Sequence, residues 1–132
     1  LPENISLELG AILEPLSVAI HGSRRANVKS GTTVLVFGAG TVGLLCAAVC
    51  KVKGAKTVII ADVQASRLNF ATQNGFADYQ IEVPMKRPQL IEDKLAFAQE
   101  IAESVRGLSE IDEIDTVFEC TGVESCVQAA IY

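Results

Sequence analysis

The sequence predicts an α/β fold: a parallel sheet in the spatial order 3-2-1-4, with helices on both faces. Three observations carry the prediction. Short apolar runs alternate with segments of helical spacing along the chain. A glycine-rich segment, Gly38-Ala39-Gly40-Thr41-Val42-Gly43, lies between the apolar run Val34 to Phe37 and a helix-like stretch. An acid, Asp62, closes the next apolar run, Val58 to Ala61. Strands separated by helices join through right-handed crossovers into a parallel sheet. Ligands of such sheets bind beyond the strand C-termini, where the strand order reverses, and Gly38, Asp62 and Thr121 all fall at strand C-termini.

From the N-terminus, Ser6 to Leu13 and Pro15 to Ala26 read as two short helices. Pro15 is tolerable at the start of the second, where its missing N–H has no partner to lose, so Glu14 falls at the break. Lys29-Ser30-Gly31 turns the chain into the first strand, Thr33 to Phe37. The glycine segment then opens a helix from Val42 to Lys53, which Gly54 ends. A second strand, Thr57 to Ala61, leads into a helix from Ala65 that Asn74-Gly75 stops. A third strand spans Tyr79 to Val83, and Pro84 and Pro88 bar a continuous helix after it. Ile91, Leu95, Ala98, Ala102 and Val105 give helical spacing over Gln89 to Val105, ending at Gly107. The acidic stretch Glu110 to Asp115 reads as a solvated loop. Thr116 to Cys120 is the fourth strand, and Val123 to Ile131 begins another helix.

Residues 1–30 thus read as a helical connector, and residues 31–132 as a Rossmann-type domain. Two further strands are expected of a complete six-stranded sheet, so this domain is expected to be truncated before strands 5 and 6. The first residues, Leu1-Pro2-Glu3, lack an initiator methionine, and the chain is expected to be cut from something longer. The fourth strand would then present an uncovered edge bearing Val117 and Phe118, which favours pairing with another chain.

At 132 residues, 49% of them hydrophobic and 20% charged, the chain has the length for one domain and a real core. No apolar stretch reaches the roughly 18 residues of a membrane span; the nearest, Val42 to Val52, reads as a buried helix, and no membrane partner is expected. The net charge of −5 opposes a nucleic-acid surface, and Arg24-Arg25 and Lys86-Arg87 are too short to form one. Cys46 and Cys50 stand one helical turn apart, whereas zinc sites use shorter spacings and histidine partners. With Cys120 and Cys126 they read as buried free thiols. These, and the lack of a signal-like segment, fit a reducing, cytoplasmic compartment. The sole histidine, His21, reads as a packed or partner-bonded helix residue and not as a ligand.

Each glycine of the motif has its own physical reason. Gly38 lets the chain turn sharply off the strand, Gly40 keeps no side chain between backbone and ligand, and Gly43 lets the helix lie close on the strand. A pyrophosphate would then rest on the free amides of Thr41 and Val42, where the helix dipole also favours negative charge. Asp62 can accept hydrogen bonds from both adenosine-ribose hydroxyls and would repel an additional phosphate, which favours NAD over NADP. A helix N-cap is the other role open to Asp62. Arg67, five residues on, is either an adenosine-side contact that leaves some tolerance of NADP or a solvated surface charge.

The segments Glu14-Pro15-Leu16-Ser17-Val18, Ile20-His21, Arg24-Arg25, Val34 to Gly43, Glu119-Cys120-Thr121-Gly122 and Val127 to Tyr132 resemble the medium-chain zinc-dependent alcohol dehydrogenases, within them the sorbitol or polyol branch. The resemblance covers nearly the whole chain. It implies oxidation of a polyol's secondary alcohol to a ketone, with zinc polarising the alkoxide and hydride passing to NAD. By resemblance Glu14 is the glutamate beside the zinc, a catalytic and metal-proximal residue. Gly38, Gly40, Gly43, Thr41 and Val42 serve the pyrophosphate, Asp62 and Arg67 the adenosine ribose, and Thr121 and Gly122 a loop near the cofactor ribose. The resemblance also implies a homo-oligomeric parent whose zinc-holding catalytic domain is absent from this chain, leaving the chain inactive on its own.

Two other classes share part of this pattern. A methyltransferase also opens with a glycine loop after its first strand, but with different glycine spacing and commonly an acid just before the loop, where Val36-Phe37 stand here. A non-enzymatic NAD-sensing module would carry the same glycine motif and Asp62. Glu14-Pro15 separates it from the dehydrogenase, because a sensor has no use for a carboxylate aimed at zinc.

Overall fold

The structure, a computed structural model, describes residues 2–86, 88–108, 111 and 113–132. Arg87 of the Lys86-Arg87 pair, Ser109, and Glu110 and Asp112 of the acidic stretch lie outside the described residues. The elements run α1 (Leu7–Gly10), α2 (Leu13–Arg25), β1 (Thr33–Phe37), α3 (Thr41–Val52), β2 (Thr57–Asp62), α4 (Ala65–Gln73), β3 (Tyr79–Glu82), α5 (Ile91–Arg106), β4 (Thr116–Glu119) and α6 (Glu124–Ala129). All strand pairs are parallel and the order is β3-β2-β1-β4, the topology expected of a Rossmann-type sheet.

Alternation along the strands divides the core between two faces. Leu35, Phe37, Ile59, Ala61 and Ile81 point to one side, where α5 brings Phe97, Ala98, Ile101 and Val105, and α6 brings Cys126 and Ala129. Val34, Val36, Val58 and Ile60 point to the other, onto Ala47 and Cys50 of α3 and Leu68 and Ala71 of α4. Both faces of β1 and β2 are therefore dry, which is why these strands read as continuous apolar runs. The helix α2 packs against α3 on the second face. There Gly22 passes Phe118 so closely that a β-carbon would lie 3.4 Å from the ring, and Lys53 Nζ donates to the Ser23 carbonyl at 3.0 Å.

Two local expectations are corrected. The helical break falls at Ala11-Ile12, and Glu14 and Pro15 both lie inside the first turn of α2. Proline fits there because none of the first-turn amides has an intrahelical partner, so it does not need to be the first helical residue. Nor is the acidic stretch merely solvated. Asp115 Oδ2 accepts from Thr33 N at 2.7 Å, its own N–H donates to the Thr33 carbonyl, and Ile111 and Ile114 are half-buried against the core. A similar bond fixes the start of β2, where Asp78 Oδ2 accepts from Val58 N at 2.8 Å.

The four cysteines are free thiols; Cys46, Cys50 and Cys126 are buried, while Cys120 is only half-buried. Burial, reinforced by the neighbouring Cys46 sulfur, pushes the Cys50 thiol up to about 11. The hydrogen bond with Cys46, together with burial, holds Cys120 well above the usual thiol range.

Three outcomes are expected of this packing. A thiol reagent at pH 8 should leave Cys50 of the native protein unmodified while labelling all four cysteines in denaturant. Because the folded state holds the Cys50 proton more tightly than the unfolded chain, its contribution to stability is complete below about pH 9 and declines as pH rises towards 11, by up to about 2 kcal/mol. Urea midpoints measured across that range check this. The edge strand β4 pairs only with β1 among the described residues, and light scattering over a concentration series should show self-association of the chain.

Candidate functional site at the carboxyl end of the sheet

The strand order reverses between β1 and β4, and a cavity of about 360 Å³ opens there at the C-terminal end of the sheet. Its wall includes Gly38, Gly40, Asp62, Arg67, Thr121 and Cys126. Backbone geometry sets its floor. Gly38 has φ +97°, a left-handed conformation that L side chains rarely adopt, and this turns the chain out of β1 towards α3. A β-carbon on Gly43 would lie 1.8 Å from the Gly38 carbonyl oxygen, so only glycine lets the first turn of α3 come so near the strand end. At Gly40, by contrast, a β-carbon would meet no atom within 4 Å. The protein itself does not require glycine there; a ligand lying against the backbone would.

Gly40 is the N-cap of α3 and offers no side-chain acceptor, and Leu44 N makes the first intrahelical bond back to the Gly40 carbonyl. The N–H groups of Thr41 and Val42, both exposed, belong to the unpaired first turn. An anion placed there would meet donors and the positive end of the helix dipole.

Asp62 is the last residue of β2, one position beyond the expected strand end, and is only 9% exposed. Its Oδ2 accepts from Ala39 N at 2.7 Å and its Oδ1 from Gln64 N at 2.8 Å. The residue is not a helix N-cap: Gln64 holds that position, without a side-chain cap bond. Asp62 instead spans the β2 exit and the glycine turn. Each carboxylate oxygen can accept more than one hydrogen bond, so both retain capacity towards the cavity. Arg67 is exposed on α4 at the cavity wall, with no side-chain partner among the described residues.

Behind Thr121, which lines the cavity, Glu119 at the end of β4 accepts from Thr121 N at 2.8 Å, from the Thr121 hydroxyl, and from Gly122 N at 3.0 Å. Gly122 itself, at φ +69°, supports the loop and does not line the cavity. Sequence reasoning placed Thr121 and Gly122 here but gave Glu119 no role; the signal was an acid two residues before a threonine at a strand exit. Cys126 at the cavity wall is pushed up by burial, partly offset by a hydrogen bond with Thr121.

Glu14 stands apart from this cluster. It is exposed on α2 and does not line the cavity, and its backbone carbonyl accepts from Ser17 Oγ at 2.7 Å. Among the described residues no three histidine, cysteine or acidic side chains converge to hold a metal ion. These residues do not build a zinc site. No helix among them is long and apolar enough to cross a membrane.

A parallel sheet in the order β3-β2-β1-β4, with helices on both faces and a glycine turn at its reversal point, defines the class of Rossmann-type α/β domains. Within that class the chain belongs to the zinc-binding dehydrogenase family, whose model matches residues 41–132. It is 43% identical to sorbitol dehydrogenase of Bos taurus over 132 residues, all of this chain and 34% of that one. The galactitol-1-phosphate dehydrogenase structure from Escherichia coli is similar with a TM-score of 0.71 and 27% identity, over 98% of this chain and 35% of that one. A structure from Sinorhizobium meliloti, assigned as a zinc-binding dehydrogenase and bound to NADP, is similar over 86% of this chain and 30% of its own, with a TM-score of 0.68 and 29% identity. The resemblance to the polyol branch of the medium-chain zinc-dependent alcohol dehydrogenases is borne out, and zinc and a nicotinamide cofactor belong to the family. The chain spans about a third of the length of the curated relatives it matches.

The contact between Gly43 and Gly38 yields a direct test. Gly43→Ala should destabilise the fold by about 3 kcal/mol, since the new carbon meets backbone that can yield only by moving α3 off the sheet. Chemical denaturation of the variant measures it.

Proposed function

We propose that residues 31–132 bind NAD at the strand-reversal cavity, as the coenzyme-binding part of a zinc-dependent polyol dehydrogenase. The parent would oxidise a secondary alcohol of a small polyol, of the sorbitol, xylitol or arabinitol kind, to a ketone. Hydride acceptance is the chemistry the nicotinamide supplies when bound. The observation that carries the reading is Asp62: a nearly buried carboxylate at the end of β2, in the cavity wall, tied to the glycine turn and with acceptor capacity left over. Two ribose hydroxyls suit that capacity, whereas a 2′-phosphate would bring negative charge against it.

The residues of this chain bind and orient. In this reading the amides of Thr41 and Val42 receive the pyrophosphate and the bare backbone at Gly40 lets it approach. Arg67 flanks the adenosine side, and Thr121 borders the second ribose from the loop that Gly122 supports. Residues 1–30 lead in from the catalytic part of the parent, which is where the zinc and the substrate would be held; Glu14 would face that part. A cytoplasmic homo-oligomer with a small-molecule partner fits this reading, and the relatives named sorbitol dehydrogenase support the substrate class.

Titration calorimetry with NAD and NADP tests the proposal. NAD should bind more tightly, and Asp62→Ala should narrow the difference, with about 1–3 kcal/mol lost from NAD binding. Since Asp62 also holds Ala39 N–H, the same variant should unfold at lower denaturant. Equal or reversed affinities in the unsubstituted protein would remove the role given to Asp62.

A further inference from the structure

Glu119 sits at the end of β4, directly across from Phe37 in register, where the chain leaves the sheet towards α6. Its two oxygens receive three hydrogen bonds: Thr121 N at 2.8 Å and the Thr121 hydroxyl on Oε1, and Gly122 N at 3.0 Å on Oε2. The Thr121 oxygen in turn accepts from Val123 N at 3.0 Å. A carboxylate offers acceptors only, so the threonine hydroxyl is the donor to Glu119, and the Cys126 thiol is the second side chain that meets this hydroxyl. The threonine is thereby fixed with its methyl group on the glycine turn: a β-carbon at Gly38 would stand 3.1 Å from Thr121 Cγ2 and 3.1 Å from the Cys120 carbonyl oxygen.

We infer that Glu119 is a positioning residue of the nucleotide site, acting through Thr121: it holds the hydroxyl and keeps the methyl against Gly38, so that Thr121 gives the cavity its shape. The inference rests on the reading that this cavity takes NAD. Charge-assisted bonds to backbone amides are the means by which a short exit loop with a left-handed glycine is kept in one conformation. Without Glu119, Gly122 and Thr121 would have to find water, and the methyl would no longer be held on the turn that precedes α3.

The test uses NAD calorimetry and amide hydrogen exchange on the protein and its Glu119→Ala, Glu119→Gln, Thr121→Val and Glu119→Ala/Thr121→Val variants. Glu119→Ala should weaken NAD binding about tenfold and speed exchange at Thr121 and Gly122. Glu119→Gln should recover part of the affinity, because its Oε1 still accepts from Thr121. Thr121→Val should add nothing on the Glu119→Ala background, since both residues belong to one network. Affinity within twofold of the unsubstituted protein in Glu119→Ala, or effects of the two substitutions that simply multiply, would overturn the inference while leaving NAD binding intact. If the unsubstituted protein binds neither NAD nor NADP, the proposed function itself falls, and the positioning role falls with it.

Discussion

One absent carbon atom organises the carboxyl end of this sheet. With no side chain on Gly43, the first turn of α3 rests on the Gly38 carbonyl, and the Val36 side chain packs just below it. Any larger residue would lift the helix, and with it the free amides at its start, away from the strand that carries the turn. Because β1 lies between β2 and β4, a shift there would propagate to both neighbouring strand exits. The amphipathic helices on either face fill the core, but the close approach of α3 decides where the helix N-terminus stands relative to the cavity.

Carboxylates do the remaining work of ordering the loops. Asp62 holds the glycine turn, Glu119 the β4 exit, Asp78 the start of β2 and Asp115 the start of β1, in each case by accepting from backbone N–H groups. Backbone donors at strand ends have no ladder partner, and an ionisable acceptor satisfies them with shorter, stronger bonds than a neutral one. The acidic balance of the chain thus reflects in part an internal structural use of Asp and Glu. Ion pairs add less: Lys51–Asp78, Lys86–Glu100 and Lys94–Glu124 are all partly exposed to water, which screens them.

Strand order and the placement of Gly38, Asp62 and Thr121 were legible because they rest on local rules: apolar runs of strand length, a glycine spacing with a steric cause, and crossovers of one hand. What escaped was whatever depended on a partner distant in sequence. Asp115 looked solvated because its partner, Thr33 N, is 82 residues away. For Asp62 the sequence shows the helix that follows, which leaves a cap open beside the ribose role, but not the Ala39 amide 23 residues before it. Glu14 was read at a break because proline was allowed only at the first helical position, although the whole first turn tolerates a missing donor. Glu119 is a local feature that was overlooked, since an acid closing a strand reads as a surface charge until its loop is seen folded back on it.

The two ends of the sheet are held by separate devices. Asp78 and Asp115 fix the register of β1 and β2 from the end remote from the cavity, with no group of theirs in the cavity wall. Strand alignment therefore survives changes at the opposite end. A lineage can exchange residues such as Arg67, Val123 or Met85 around the cavity and retune which ligand it prefers without renegotiating the fold. The separation of anchoring from recognition makes this scaffold easy for evolution to diversify.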